Sequence, residues 1–190
     1  MLDPAAKSSL RYKMQILPLF SSDQIETRIA EIAERLYRDY ADSPLTLLCI
    51  AEGAKRFVEA LTELLERGNV QYEVQFVVAR RTGSADLGGV AVDGFDPSVL
   101  EGRDVLIVDD IADAGTTLRA VLELVELADT RTVRTAVLVD KRERRREELR
   151  LDYVGFEVDS GWVVGYGMDV DGELRDLDEI GVVSPDTLPD

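Results

Sequence analysis

The sequence predicts an α/β fold in which helices flank a parallel, twisted sheet. Three observations carry that expectation. Apolar strand-like runs alternate with amphipathic helical patterns along the chain. The runs Leu45 to Ile50, Val105 to Val108 and Val133 to Val139 are mostly apolar, as strands covered by helices are. A length of 190 residues with 45% hydrophobic content suits one domain with its own core.

Taken in order, Asp23 and Glu26 form a capping-box pair, and Ile25, Ile29, Ile32, Leu36 and Tyr40 follow at helical spacing. They predict a helix from about Gln24 to Tyr40, closed by Pro44. The first buried strand, Leu45 to Ile50, leads through Ala51-Glu52-Gly53 into a helix marked by Phe57, Leu61, Leu64 and Leu65, which Gly68-Asn69 ends. Tyr72, Val74, Phe76 and Val78 alternate with polar residues as in a half-buried strand. From Arg80 to Gly89 the pattern collapses, and this stretch, including Arg81, Thr82 and Gly83, is expected to be a mobile loop. Val105 to Val108 is a strand, Thr116 to Leu127 a helix and Val133 to Val139 a strand. The glycine-rich tail from Leu151 predicts short extra strands over one end of the sheet. In such sheets ligands bind beyond the carboxyl ends of the strands, which directs attention to the loops after Ile50, Val108 and Val139.

Charge narrows the partners. Thirty-eight acidic residues against 22 basic ones give a net charge of −16, which opposes binding to nucleic acid and anionic lipid. A phosphorylated small molecule would then need helix N-termini, a few placed cations or a metal ion. The four lysines are Lys7, Lys13, Lys55 and Lys141; an acidic, lysine-poor surface fits a salt-rich habitat or an arginine-preferring genome equally well. The single cysteine, Cys49, lies in an apolar run and reads as a small core side chain. No stretch approaches the ~20 apolar residues of a membrane span, and Met1 to Lys13 lacks a signal-peptide core. A cytoplasmic location is expected.

The chemistry concentrates in Val105-Leu106-Ile107-Val108-Asp109-Asp110-Ile111-Ala112-Asp113-Ala114-Gly115-Thr116-Thr117-Leu118. An apolar strand runs into paired carboxylates, then a short glycine loop with two hydroxyls, then a helix. Backbone N–H groups around Ala114 to Thr117 can cradle a phosphate, and Gly115 permits close approach. Asp109 and Asp110 can accept hydrogen bonds from two sugar hydroxyls and place negative charge near a carbon that becomes cationic. Any one of these residues could be mere capping or solubility chemistry; the ordered set is harder to explain that way. No G-x-x-x-x-G-K-[ST] and no G-x-G-x-x-G after a strand competes with it.

This run resembles the phosphoribosyl pyrophosphate motif of the type I phosphoribosyltransferases. From about Ile25 to Val183 the chain is similar to their hypoxanthine-guanine branch, with Leu138-Val139-Asp140-Lys141-Arg142, Asp152-Tyr153-Val154-Gly155-Phe156-Glu157 and Trp162-Val163-Val164-Gly165-Tyr166-Gly167-Met168-Asp169 as the matching segments. The resemblance implies a single domain over 1–190. Its core would span about 24–140, and a small hood would come mainly from 141–183 plus the N-terminal segment. It implies transfer of the phosphoribosyl group to a 6-oxopurine with Mg²⁺, by a homodimer or homotetramer. Glu52, Gly53, Asp109, Asp110, Asp113, Ala114, Gly115, Thr116, Thr117 and Arg175 would bind phosphoribosyl pyrophosphate. Lys141 would donate to purine O6, Trp162 would stack on the ring, Val163 would offer backbone groups and Asp169 would lie beside the base. Asp169, Asp109 and Asp110 would attend the metal. Asp113 would be the general base toward N7 or a simple hydrogen-bond partner to it. For Lys141, Trp162 and Arg175 the alternatives are a solvated basic run, core packing and a surface ion pair.

Three departures from the branch pattern stand out. Glu52 replaces a basic residue before Gly53, Arg81-Thr82 stands where a Ser-Tyr pair is expected, and Ala114 takes a common threonine position. Lys55 is the cation nearest in sequence that could compensate for Glu52. These departures keep open a non-catalytic, regulatory protein of the same fold, for which Arg142 to Arg146 is the basic cluster that could meet RNA.

Overall fold

The computed structural model describes residues 14–82, 89–94, 96–145 and 148–187. In chain order its elements are β1 (Ile16–Phe20), α1 (Ser22–Tyr40), β2 (Leu45–Ala51), α2 (Lys55–Arg67), β3 (Tyr72–Thr82), β4 (Gly89–Asp93), β5 (Asp104–Ala112), α3 (Thr116–Glu126), β6 (Thr132–Lys141), β7 (Tyr153–Val158), β8 (Trp162–Val164) and β9 (Ile180–Val183). Six strands form one sheet in the order β4-β3-β2-β5-β6-β7, and three form a second in the order β1-β9-β8. Within the large sheet β3, β2, β5, β6 and β7 run parallel and β4 is the antiparallel edge.

Apolar runs become central strands because both their faces are covered. On one face α1 and α2 bury Ile25, Ile29, Leu36, Phe57 and Leu61 against Leu47, Leu106 and Leu138. On the other, Leu118, Val121 and Val125 of α3 pack on Leu48, Ile107 and Val137. Full burial of each such side chain contributes roughly 1.5–3 kcal/mol, so this layering fixes β5 at the centre. Cys49 is a core side chain, and burial, aided by the charges of Asp109 and Asp110, pushes its thiol up to about 12.

Three local readings change. Helix α1 is capped by Ser21 rather than Asp23: the Ser21 hydroxyl accepts from Gln24 N at 3.4 Å and Gln24 Oε1 accepts from Ser21 N at 2.9 Å. Serine and glutamine make the same reciprocal box two residues earlier. Arg80, Arg81 and Thr82 are not loop but the end of β3, in register with Ala91, Val90 and Gly89 of β4. Pairing between β3 and β2 stops at Val78, so this hairpin extends past the sheet, where the polar residues that mimic a loop are tolerated. Tyr153–Val158 falls within the stretch expected to form the hood, but it is the edge strand of the large sheet. Gly155 lets it lie close to β6, since a Cβ there would sit 2.4 Å from the Leu138 carbonyl oxygen. The small sheet therefore joins the N-terminal β1 to β8 and β9, with Met14, Val164, Val170, Leu174 and Val183 packed beneath it.

Candidate active site

The turn between β5 and α3 is built around Gly115, which caps the helix with φ +87°, a left-handed conformation costly for any residue with a Cβ. Because Gly115 is the cap, the N–H groups of the first turn of α3 have no acceptor within the helix. They are available to an anion, and the helix dipole favours one there. A second close approach shapes the floor. A Cβ on Gly53 would lie 1.8 Å from Asp110 Oδ2, and one on Gly167 would lie 2.2 Å from the Gly53 carbonyl oxygen. The loop after β2, the end of β5 and the Tyr166–Met168 turn can meet only with glycine at both places.

These segments enclose a pocket of about 300 Å³, lined in part by Glu52, Gly53, Asp109, Asp110, Asp113 and the whole Ala114–Thr117 turn, with Asp169 and Arg175 opposite. A second pocket of about 190 Å³ adjoins it, lined by Asp110, Ile111, Asp113, Lys141, Arg144, Trp162, Val163, Met168 and Asp169. Asp110, Ile111, Asp113 and Asp169 belong to both walls. The residues proposed from sequence for the phosphosugar thus share the first pocket, and those proposed for the base share the second.

Lys141 is only 4% exposed, which excludes the solvated-run alternative. Its Nζ lies 3.2 Å from Asp113 Oδ2 and 3.8 Å from Glu143 Oε2. Asp113 Oδ1 is buried and has no hydrogen-bond partner among the described residues. A buried carboxylate oxygen left unpaired at a pocket wall is an acceptor ready for a donor. Trp162 is 41% exposed, so it is a pocket wall and not a core side chain. Its indole N–H donates to the Asp169 carbonyl at 3.0 Å, which fixes the ring. Asp169 is held in turn by Arg175 Nη2 at 2.7 Å and by Gly172 N at 2.6 Å, while Arg175 Nη1 donates to the Gly167 carbonyl at 2.8 Å. Arg175 is therefore both an ion-pair residue and part of the pocket.

Burial first, and the neighbouring Asp110 charge second, raise the Asp109 carboxyl well above the ordinary range; burial likewise raises Asp110. Two adjacent carboxylates at a strand end favour a cation or sugar hydroxyl donors beside them. Among the described residues no three carboxylate, histidine or cysteine side chains converge as metal ligands. Asp169, Asp109 and Asp110 thus do not form one cage, because the first sits across the pocket in the turn after β8.

Glu52 is exposed on the pocket wall, and Lys55 does not compensate: its Nζ turns along α2 to within 4.0 Å of Glu59 Oε1. Arg80, Arg81 and Thr82 occupy strand β3, and Gly83 with the next five residues lies outside the described residues. Two described members of the basic cluster are paired with carboxylates. Arg142 pairs with Asp140 and Glu157, and Arg145 with Asp140. Sequence reasoning missed Ile111, Met168 and Arg144 as pocket residues. The first two lie inside segments already singled out, where alternation along a strand end and the turn after β8 would have pointed to them; nothing in the basic run distinguishes Arg144 from its neighbours.

The family model for the phosphoribosyl transferase domain matches residues 19–171. The chain belongs to the phosphoribosyltransferase family. It is 32% identical over 167 residues to the hypoxanthine-guanine phosphoribosyltransferase of Streptococcus thermophilus, covering 87% of this chain and 91% of that one. It is 33% identical over 170 residues to the bifunctional protein TilS/HprT of Listeria monocytogenes, covering 88% of this chain; it spans about a quarter of that longer relative, 26%. Among solved structures, hypoxanthine phosphoribosyltransferase of Trypanosoma cruzi in a ternary substrate complex superposes with a TM-score of 0.84 at 30% identity, covering 93% of this chain and 98% of that one.

Proposed function

We propose that this chain is a purine-salvage phosphoribosyltransferase that transfers the 5-phosphoribosyl group from phosphoribosyl pyrophosphate to a 6-oxopurine, hypoxanthine or guanine, and releases pyrophosphate. The observation that carries this reading is the Lys141–Asp113 pair, 3.2 Å apart on the wall of the second pocket, with Asp113 also lining the first. A 6-oxopurine presents O6 and N7 on one edge. Lys141 donates to O6, and the free Asp113 oxygen accepts the N7 proton. Adenine offers an amino group where Lys141 needs an acceptor.

The displacement then follows from these placements. Purine N9 gives its electron pair to the ribose anomeric carbon, the bond from that carbon to pyrophosphate breaks, and the N7 proton passes to Asp113. Asp109 and Asp110 accept the ribose hydroxyls and place negative charge near the developing oxocarbenium. The Ala114–Thr117 turn takes the 5-phosphate, Arg175 faces the pyrophosphate, Trp162 covers one face of the base, and Val163 presents its backbone to the base edge. When bound, Mg²⁺ would neutralise charge on the leaving pyrophosphate. Asp109 and Asp110 at the end of β5 and Asp169 in the turn after β8 would hold it.

Substrates of this kind are phosphorylated and confined by membranes, which supports a cytoplasmic place; no described helix is long and apolar enough to cross one. Assembly as a homodimer or homotetramer belongs to this reading, and Phe76 and Val78, 47% and 37% exposed on β3, are apolar surface that would be covered by it. The test is direct. Purified protein with phosphoribosyl pyrophosphate and Mg²⁺ converts hypoxanthine or guanine to its 5-monophosphate at a rate far above that with adenine. Binding of the phosphosugar without turnover of any purine would favour the regulatory alternative.

A further inference from the structure

Arg145 sits in the basic run after β6, a setting in which charged side chains are ordinarily solvated. It is not solvated. Its side chain is 18% exposed, and its Nη2 pairs with Asp140, itself 5% exposed. The same Nη2 also reaches the Ala112 carbonyl at 2.7 Å and, more distantly, the Lys141 carbonyl at 3.3 Å, while Nε donates to the Asp113 carbonyl at 2.9 Å.

The place of these contacts gives them meaning. Pairing between β5 and β6 ends at Ala112 with Asp140, so beyond that point the chain leaves the ladder and turns into the phosphate cradle. Carbonyls at such a point need donors from elsewhere. Arg145 supplies them for Ala112 and Asp113, the two residues where strand becomes cradle. A planar guanidinium can bridge two carbonyls and a carboxylate at once, whereas a lysine ammonium has no such fork. Asp113 is consequently held twice from the β6 end, at its main chain by Arg145 and at its carboxylate by Lys141.

We propose that Arg145, oriented by Asp140, is a positioning residue that sets the Asp113 carboxylate between the base pocket and the phosphosugar pocket. This rests on the function proposed above. Loss of Arg145 frees the Asp113 carbonyl and lets its carboxylate move off the N7 position, while the N–H groups at the start of α3 keep their place. The rate therefore suffers more than phosphosugar binding. Displacements of this size at a reacting group cost between about ten- and a hundredfold in rate.

The experiment is steady-state kinetics with hypoxanthine on the full chain and on Arg145→Met, Arg145→Lys, Asp113→Asn and the Arg145→Met/Asp113→Asn double variant. Expected for Arg145→Met is a kcat loss of about tenfold or more with the KM for phosphoribosyl pyrophosphate within about threefold of the parent. Arg145→Lys should recover part of the loss, and the double variant should be no more than about twofold slower than Asp113→Asn alone. Should Arg145→Met fail to fold, Asp140→Asn takes its place with the same expected split. An unchanged kcat in Arg145→Met beside a slow Asp113→Asn overturns the Arg145 assignment alone, as do losses that multiply in the double variant. A fast Asp113→Asn removes the function assigned to Asp113 and the Arg145 inference with it.

Discussion

Replacing Lys141 with Met removes the ammonium that lines the second pocket beside Asp113 while keeping most of the side-chain volume. Lys141 is 4% exposed and shares its charge with Asp113 at 3.2 Å and Glu143 at 3.8 Å. A hydrogen bond from a charged donor contributes about 1.5–3 kcal/mol, which at about 1.36 kcal/mol per decade is roughly ten- to 150-fold in kcat/KM. That loss applies to a purine whose O6 accepts the bond. Adenine, lacking the acceptor, loses little. Measured side by side, kcat/KM for hypoxanthine should fall by one to two orders of magnitude, and the preference for hypoxanthine over adenine should shrink by a similar factor. A preference that survives the substitution intact would refute the O6 role, whatever the absolute rate.

Other expectations follow from the same contacts. Glu52→Gln removes a like charge from the pyrophosphate side of an open pocket, an effect on the order of 1 kcal/mol. The KM for phosphoribosyl pyrophosphate should drop about two- to fivefold at low salt and converge with the parent at high salt; a rise in KM would contradict the placement. Gly53→Ala drives a methyl into Asp110, so it should destabilise the fold by about 1–3 kcal/mol and weaken phosphosugar binding, both visible by thermal shift with and without ligand. The Asp104 carboxyl is held below its ordinary value, chiefly by the Arg131 hydrogen bond. A depressed folded-state value means the stabilisation is present above the unfolded value and lost as pH falls through the folded one. Asp104→Asn should therefore cost about 1–2 kcal/mol at pH 7, and that cost should shrink only below about pH 4, as read by urea unfolding at several pH values.

Much of the fold was legible because the sequence carries its layering openly. Central strands appear as mostly apolar runs, and helices α1, α2 and α3 show a core-facing stripe. Edges were harder. Polar Arg80 to Thr82 read as loop because a hairpin extending past its neighbours carries no core pattern, and β7 was assigned to the hood because edge strands and cap strands share one composition. The candidate site was legible where chemistry is local: Asp109 to Thr117 form one continuous run that the fold keeps together. Long-range partnerships were not. That Lys141 would meet Asp113, or that Arg145 would turn inward onto the Ala112 and Asp113 carbonyls, depends on where β6 ends relative to β5. No spacing within a single segment encodes that register.

A crystal structure of the protein with inosine 5-monophosphate tests most directly the claim that the two pockets are halves of one site. The account predicts the phosphate on the N–H groups of the Ala114–Thr117 turn, the ribose hydroxyls on Asp109 and Asp110, O6 on Lys141 Nζ and the ring against Trp162. A nucleotide bound elsewhere, or seated with its base in the Gly53–Gly115 pocket, would contradict it.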